Sequence, residues 1–559
     1  MNNLKRGTAD IWAVLLVLGV MAFLGGCVTP GLDKPAGDEF QFHTSPSPET
    51  FEDLEQIQPV AETSLGSDTR DWYRDAVFYH IWVNAFNDSD GDGVGDIPGI
   101  TEKLDYLADL GVTALWLSPF FESASEAINL HMYDTTDHYR VDPRFGTLAD
   151  VDHLLAQAHD RGIRVIFDFV PNHVSNKHPW FQDSAKGRDG KDGWFVWHDT
   201  SQAGSGPWGQ QVLHEYAAGS YYYGVFWSGM PDINYRNQAA KDAMTNVAIF
   251  WLNRGFDGMR VDAVKYLYED PGMIRGGYED QAETFRYYQA LRSQILDAYS
   301  SHTDGQGRPL HKMMVAENWT SDRSSLESYM VKDQKTAFHM TLDFPSAYAL
   351  NDRNIAMINS HFSWAVESLN PEARMGTFLS NHDNVVIRPG SRHSVQMVRA
   401  VTAAQLLGVG TPFIYYGNEV GQADADQYAG QSHEDRRHRQ PLEWSLVADQ
   451  EADPASLLNL VRELTALRSE RESLRRGDWQ VVSTAGSVLM VRRTSSADST
   501  LVVISLASVS RKLSVGSDTL GFSPQDSQIL LTDRAGIEMS SPETVDMDLQ
   551  PGGILVLGF

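Results

Sequence analysis

The sequence predicts an α/β fold built on a parallel sheet, and three observations carry that prediction. Short apolar runs alternate with helix-length amphipathic stretches from Asp71 to about residue 468. Polar residues that bear chemistry recur just after the apolar runs, where a parallel sheet gathers its functional groups. With 559 residues, 42% apolar and 21% charged, the chain can bury a large core and is not a disordered protein. The alternation fits either a (β/α)8 barrel or a doubly wound sheet.

Taken in order, the strand candidates are Ala76–Trp82, Ala114–Leu117, Val165–Phe169, Gly258–Val261, Met313–Ala316, Thr377–Ser380 and Phe413–Tyr416. Helical patterns fall between them at Ile100–Leu110, Val151–Arg161, Ala239–Asn253, Thr284–Tyr299 and Val395–Leu407. Between Val174 and Tyr235 the alternation stops and the chain fills with Gly, Asp, Trp and Tyr, as expected of a domain inserted after the third strand. Its aromatic residues include Trp180, Trp194, Trp197, Trp208 and Trp227; most such rings are expected in its core. Beyond Glu470, short β-rich runs separated by Ser, Gly and Asp predict an antiparallel sandwich over 469–559.

The first 70 residues differ in kind. Lys5 and Arg6 precede the apolar stretch Ile11–Leu24, which is too short to span a membrane and suits a signal-peptide core. The stretch ends Leu24-Gly25-Gly26-Cys27, which resembles the lipobox of bacterial lipoproteins. That resemblance implies a signal peptide over 1–26, lipidation of Cys27, and contact with a membrane through the lipid only. With Val28 rather than Asp next, it favours the outer membrane in a Gram-negative source. Cys27 is the single cysteine, so no internal disulfide exists. Residues 27–70, rich in Pro, Ser, Thr, Asp and Glu, predict a disordered tether.

Lys and Arg number 45 against 74 Asp and Glu, a net charge of −29, which argues against binding nucleic acid. Oligomeric state is not legible in the sequence.

Chemistry concentrates after four strands: Asp168-Phe-Val-Pro-Asn-His173, Arg260-Val-Asp262, Glu317, and Asn381-His382-Asp383. Three carboxylates from three strands, converging with histidines and an arginine, suit the breaking of a glycosidic bond. One carboxylate attacks the anomeric carbon while a second, kept protonated, donates to the leaving oxygen. Arg260, two residues from Asp262 on one strand face, is placed to hold that aspartate ionised. Asp383, His382 and His173 can grip sugar hydroxyls.

These segments resemble the α-amylase family, glycoside hydrolase family 13. Asp168–His173, Gly258-Met-Arg260-Val-Asp262, Val315-Ala-Glu317-Asn and Phe378-Leu-Ser-Asn-His382-Asp383 are similar to its four short motifs, in order. Met230-Pro-Asp-Ile-Asn234 resembles the motif near the end of the family's B domain, in the form shared by cyclodextrin-acting enzymes and an intermediary group of amylases. Gly410-Thr-Pro-Phe-Ile-Tyr-Tyr-Gly417 resembles its eighth strand. The resemblance implies a (β/α)8 barrel over 71–173 and 236–468, a B domain over 174–235 and a C-terminal antiparallel β-sandwich. It implies Asp262 as nucleophile, Glu317 as general acid/base and Asp383 as transition-state stabiliser. Arg260, His173, His382, Tyr133 and Asp134 would bind sugar in the −1 subsite. Many members carry Lys-His on the leaving-group side where this chain has Lys265-Tyr266. Arg439-Gln-Pro-Leu-Glu-Trp444 resembles a segment of oligoglucosidase-like members and makes Arg439 a further substrate-binding candidate.

The segment Asp88-Ser-Asp90-Gly-Asp92-Gly-Val94-Gly-Asp96 alternates carboxylates with turn-forming residues, the spacing of a Ca²⁺ loop in which Val94 offers its carbonyl. Position 12 is Gly99, so it is not an EF-hand. The expected substrate is an α-1,4-glucan such as starch, glycogen or a maltooligosaccharide, cut internally. The alternatives are exo-acting α-glucosidase, cyclodextrinase or glucanotransferase action, or a non-catalytic glycan-binding role.

Overall fold

The computed structural model describes residues 58–62, 70–125, 131–202, 204–270, 277–383, 386–430, 434–483 and 486–559. The signal peptide, Cys27 and most of the expected tether lie outside the described residues. Among the described residues no helix is long and apolar enough to cross a membrane.

Eight parallel strands close into a barrel: β1 (Phe78–Ile81), β2 (Ala114–Leu117), β3 (Arg164–Phe169), β4 (Gly258–Val261), β5 (Met313–Ala316), β6 (Met340–Leu342), β7 (Met375–Phe378) and β8 (Thr411–Tyr415). Strand β8 returns to β1 at Phe78↔Phe413, which excludes the doubly wound alternative. The strands are fully buried except for partly exposed Arg164 at the start of β3. This is why most read as continuous apolar runs. Several differ from expectation, β8 among them, which starts two residues before the run Phe413–Tyr416. Strand β6 has no counterpart among the apolar runs, because three residues carry no readable period, and β7 starts two residues before the run Thr377–Ser380.

Side chains alternate along each strand, so Phe78, Ala114, Ile166, Met313, Val315, Met340 and Phe413 fill the barrel interior. Phe78 stacks on Phe413 with ring centroids 4.3 Å apart. The same period carries each strand from apolar interior to polar mouth. Two residues beyond Ile166 stands Asp168, directly beside Arg260 of β4. Gly258 opens β4 beneath Arg260, and a Cβ there would collide with the Met313 carbonyl of β5.

Outside the barrel, α1 (Leu148–Asp160) starts at a capping box between Thr147 and Asp150 and buries Val151, Leu154, Leu155 and Ala158. Helix α2 (Gln238–Asn253) is capped by the Asn237 side chain. The helix expected over Thr284–Tyr299 is α3 (Ala282–Ala290), followed by a wider π turn over Leu291–Leu296 and a 3₁₀ turn over Asp297–Ser301.

Between β3 and β4 the chain forms a short helix, Pro179–Ala185, and a three-stranded antiparallel sheet of Trp197–His198, Leu213–Ala217 and Ser220–Tyr223. The isolated bridge His173↔Asp232 ties the end of the insert back to the segment after β3, and Phe195↔Ile233 closes the insert on itself.

Beyond the barrel, β9 (Gln480–Ser483), β10 (Val488–Thr494), β11 (Ser499–Ser505), β12 (Arg511–Gly516), β13 (Gln528–Ser541) and β14 (Thr544–Gly558) form one antiparallel sheet. The long strand β14 pairs with β12 over Thr544–Leu549 and with β11 over Ile554–Gly558. Both stretches contribute to one core with Val488, Met490, Leu501 and Val503. Arg399 is bonded to Asp533 of β13 (2.8 Å), and Arg493 donates to the carbonyls of Leu407 and Gly408 (both 2.8 Å), which seats this sheet on the barrel.

Part of the expected tether is bound rather than free. Gln58 Nε2 donates to Asp160 Oδ1 (2.7 Å), Ala61 N donates to the His159 carbonyl (2.8 Å), and His159 Nδ1 meets the Gln58 carbonyl (2.7 Å). The open end of α1 supplies these partners, and local composition could not reveal them.

Candidate active site

The C-terminal ends of β3, β4, β5 and β7 bring Asp168, Arg260, Asp262, Glu317, His382 and Asp383 to the barrel mouth. Arg260 organises them. Its Nη1 donates to Asp168 Oδ1 (2.6 Å) and Asp262 Oδ1 (2.8 Å), and its Nη2 lies 3.0 Å from Glu317 Oε2. Oε2 also accepts the Ala263 N–H at 3.1 Å. Trp116 Nε1 and the Tyr133 hydroxyl both donate to Asp168 Oδ2, at 3.2 and 3.0 Å.

His382 meets the Tyr133 hydroxyl at 2.8 Å and Asp383 Oδ1 at 3.3 Å through Nε2, with its ring stacked 5.0 Å from Trp82. Arg439 donates to the His382 carbonyl (2.9 Å), lies 3.4 Å from both Asp383 and Asp435, and sits over the Trp82 ring.

Asp262, Glu317, His382, Asp383 and Arg439 face a cavity of about 550 Å³, with Asp168 and Arg260 buried behind them. Tyr133, His173, Asp262, Lys265, Glu317, His382, Asp383 and Arg439 line it, as expected for catalytic and substrate-binding positions. Asp134 does not. Its carboxylate accepts from Ser125 Oγ at 2.6 Å, away from the cavity, because consecutive side chains diverge and Tyr133 takes the inward direction. Lys265 is at the wall, with its ammonium held by Glu279 (3.2 Å) and Asp280 (3.5 Å).

The insert's aromatic residues divide. Trp180, Trp194 and Trp197 pack among other rings, whereas Trp208 and Trp227 reach the cavity and stay 47% and 50% exposed. The sequence motifs assign no role to several contributors. Asp168 holds Arg260, while Trp319, 48% exposed, and Asp435 line the cavity. Trp319 lies two residues beyond Glu317, and Asp435 four before Arg439; that proximity was the available signal.

Burial raises Glu317, Asp262 and Asp168 above the ordinary carboxylate range, with Arg260 opposing the shift in each case. One guanidinium cannot neutralise three carboxylates, so the set retains protons that its members titrate together. Burial pushes Asp262 up to about 7 and Glu317 up to about 8, and the hydrogen bond from Arg260 to Asp262 favours the charge on Asp262. Burial also pulls His173 down to about 3 and lowers His382, so both imidazoles are neutral. Buried His173 Nε2 and His382 Nδ1 have no protein partner, which leaves them to meet hydroxyl groups.

In the first barrel loop, Asp88, Asp90 and Asp96 each bring one carboxylate oxygen within 4.8 Å of the others. Asp92 is not part of that group; its Oδ1 accepts the Val94 N–H at 2.8 Å. Asp88 accepts from Gly91 N (2.7 Å) and Gly93 N (2.8 Å), and Asp96 caps the following helix through Gly99 N (2.6 Å). Three gathered oxygens of hard donors fit Ca²⁺.

Comparison with known proteins agrees with this geometry. The family model for the α-amylase catalytic domain matches residues 80–477. An alpha-amylase from Dictyoglomus thermophilum is 29% identical over 78% of this chain and 85% of its own. An alpha-glucosidase of Culex pipiens is 30% identical over 80% of this chain and 84% of its own. The crystal structure of an alpha-amylase from H. orenii superposes with a TM-score of 0.71 at 27% identity, covering 86% of this chain and 99% of that one. A closed barrel with the three carboxylates at its mouth, and a family match over most of its length, mean that this chain belongs to the α-amylase family, glycoside hydrolase family 13, and is a glycosidase acting on α-glucans.

Proposed function

We propose that the chain is an endo-acting, retaining α-1,4-glucan hydrolase. The observation that carries this reading is the bridging of Asp262 and Glu317 by adjacent nitrogens of Arg260, a close spacing that suits direct attack by a carboxylate.

In that reaction Asp262 Oδ2, free of Arg260, attacks the anomeric carbon. As the carbon–oxygen bond breaks, the Glu317 proton passes to the glycosidic oxygen and the leaving sugar departs as an alcohol. Water then attacks the glycosyl–aspartate ester, Glu317 takes a proton from it, and Asp262 is released as the carboxylate. Asp383, held by His382 and Arg439, supports the oxocarbenium-like charge.

Endo action is supported by half-exposed Trp208, Trp227 and Trp319 around one cavity, since flat rings stack on pyranose faces beyond the cleaved unit. Exo action is the second reading. It is favoured by Arg439, which links Asp383 to Asp435 across one side of the cavity lining. Early products from maltoheptaose, cyclodextrin and soluble starch decide between them. Mixed maltooligosaccharides support endo action; glucose as the sole early product from starch moves the enzyme to the exo reading.

Two accessory features belong to the same proposal. Asp88, Asp90 and Asp96 would hold a structural Ca²⁺ that fixes the loop after β1 and takes no part in the chemistry. The exported enzyme is carried on lipid at Cys27, at the outer membrane in a Gram-negative source.

A further inference from the structure

The residue after the nucleophile has an unusual backbone. Ala263 has φ 51°, the left-handed region that costs a non-glycine residue roughly 1 kcal/mol. Up to this point β4 and β5 follow an ordinary ladder, with Glu317 N donating to the Val261 carbonyl at 3.1 Å. At Ala263 the chain turns, and its N–H leaves the ladder for the Glu317 side chain.

Both neighbours of Glu317 Oε2 are obligate donors: the Ala263 amide at 3.1 Å and Arg260 Nη2 at 3.0 Å. A proton on Oε2 would be set against two N–H groups that cannot accept it. We infer that the left-handed Ala263 backbone is a positioning element for acid catalysis, occupying Oε2 so that the transferable proton of Glu317 resides on Oε1. This rests on the proposed role of Glu317 as the general acid. The Oε1 proton passes to the glycosidic oxygen as its bond to carbon breaks, and the same oxygen takes the proton from water in the second step. Ala263 lines the cavity beside Glu317 and is 6% exposed.

The test compares kcat/KM on a maltooligosaccharide, whose leaving alcohol needs a proton, with kcat/KM on α-maltosyl fluoride, whose leaving fluoride needs little help. A β-branched residue resists positive φ, so Ala263→Val turns the amide away. It should lose on the order of 10²-fold on the oligosaccharide and under about tenfold on the fluoride. Ala263→Gly, which adopts positive φ freely, should keep the wild-type ratio between the substrates.

If the valine variant does not melt cooperatively, an ester at position 263, introduced by incorporating lactic acid in place of alanine, removes the N–H alone and should show the same selective loss. Equal losses on both substrates, or an ester variant equal to wild type, overturn the inference. Glu317→Gln separates the two levels. A selective loss in Glu317→Gln without one in the Ala263 variants removes only the Ala263 role. Equal loss in Glu317→Gln removes the acid assignment and the inference with it.

Discussion

Arg260 and Asp168 are joined by a 2.6 Å bond between side chains that are 1% and 0% exposed. Removing one partner of an isolated buried pair strands a charge and costs roughly 3–5 kcal/mol. Here Arg260 keeps Asp262 and Glu317 when Asp168 is neutralised. Asp168→Asn should therefore fold with a melting temperature within a few degrees of wild type. Its kcat/KM should fall about tenfold or more, because the guanidinium that registers both catalytic carboxylates loses its anchor. A large drop in melting temperature with activity preserved would show that Asp168 is structural only.

As the proposed general acid, Glu317 should set the alkaline limit of activity. A general acid works while protonated, so with its pKa pushed up to about 8 kcat/KM should decline as pH rises through that value. The stability sign is the reverse of an ordinary salt-bridged carboxylate. The folded state binds the proton more tightly than the unfolded chain, so this contribution is full below the unfolded pKa and is lost as pH rises through the folded one. Glu317→Gln should melt at or above the wild-type temperature at pH 8–9 while hydrolysing starch at least about a hundredfold more slowly. Asp262→Asn should be equally impaired. Near-normal turnover in either variant sinks the two-carboxylate mechanism.

How much of this was legible follows from geometry. Buried parallel strands read as apolar runs, and the functional residues at their ends lie one to three positions beyond those runs, so Asp262, Glu317 and Asp383 are nameable from sequence. Strand β6 escaped because its three residues follow the short hairpin of Val331–Lys332 and Lys335–Thr336, where no alternation develops. Asp134 was misplaced because a motif names neighbours without giving their directions. Trp208 and Trp227 could not be told from Trp180, Trp194 and Trp197, since only the folded insert sets which rings pack and which face the cavity.

The Asp88, Asp90 and Asp96 loop predicts a calcium effect on stability rather than on chemistry. Asp88 and Asp90 are exposed and Asp96 is buried, and only the folded loop gathers them. Binding that is absent from the unfolded chain stabilises by about 2.7 kcal/mol at a hundred times Kd. Exhaustive chelation should lower the melting temperature by several degrees, with recovery on adding Ca²⁺. The double variant Asp88→Asn, Asp90→Asn should melt at the chelated temperature and no longer respond. Identical melting curves with and without chelator would leave the loop as an acidic turn.

Lipidation at Cys27 predicts a processing event as well as a location. Cys27→Ser should block conversion to the mature form and leave the precursor uncleaved after residue 26, whereas wild type should label with palmitate and sediment with membranes. A serine variant processed and membrane-bound to the same degree as wild type contradicts the assignment.

The final prediction concerns stereochemistry, and it follows from Arg260. Its Nη1 holds Asp262 Oδ1 at 2.8 Å while its Nη2 lies 3.0 Å from Glu317 Oε2. The two carboxyl groups are therefore tethered to one rigid, planar fork. Retaining glycosidases keep their carboxyl groups about 5–5.5 Å apart, while inverting enzymes open the gap to roughly 6.5–9.5 Å to admit a nucleophilic water. A shared guanidinium leaves little room for that water. Attack by Asp262 inverts the anomeric carbon once and hydrolysis of the ester inverts it again, so the first product should be the α-anomer. Proton NMR over the first minutes of maltoheptaose cleavage, before mutarotation mixes the signals, reads this directly. An initial β-anomer would mean that water attacks in a single displacement, and Asp262 would then have to be reassigned from nucleophile to base.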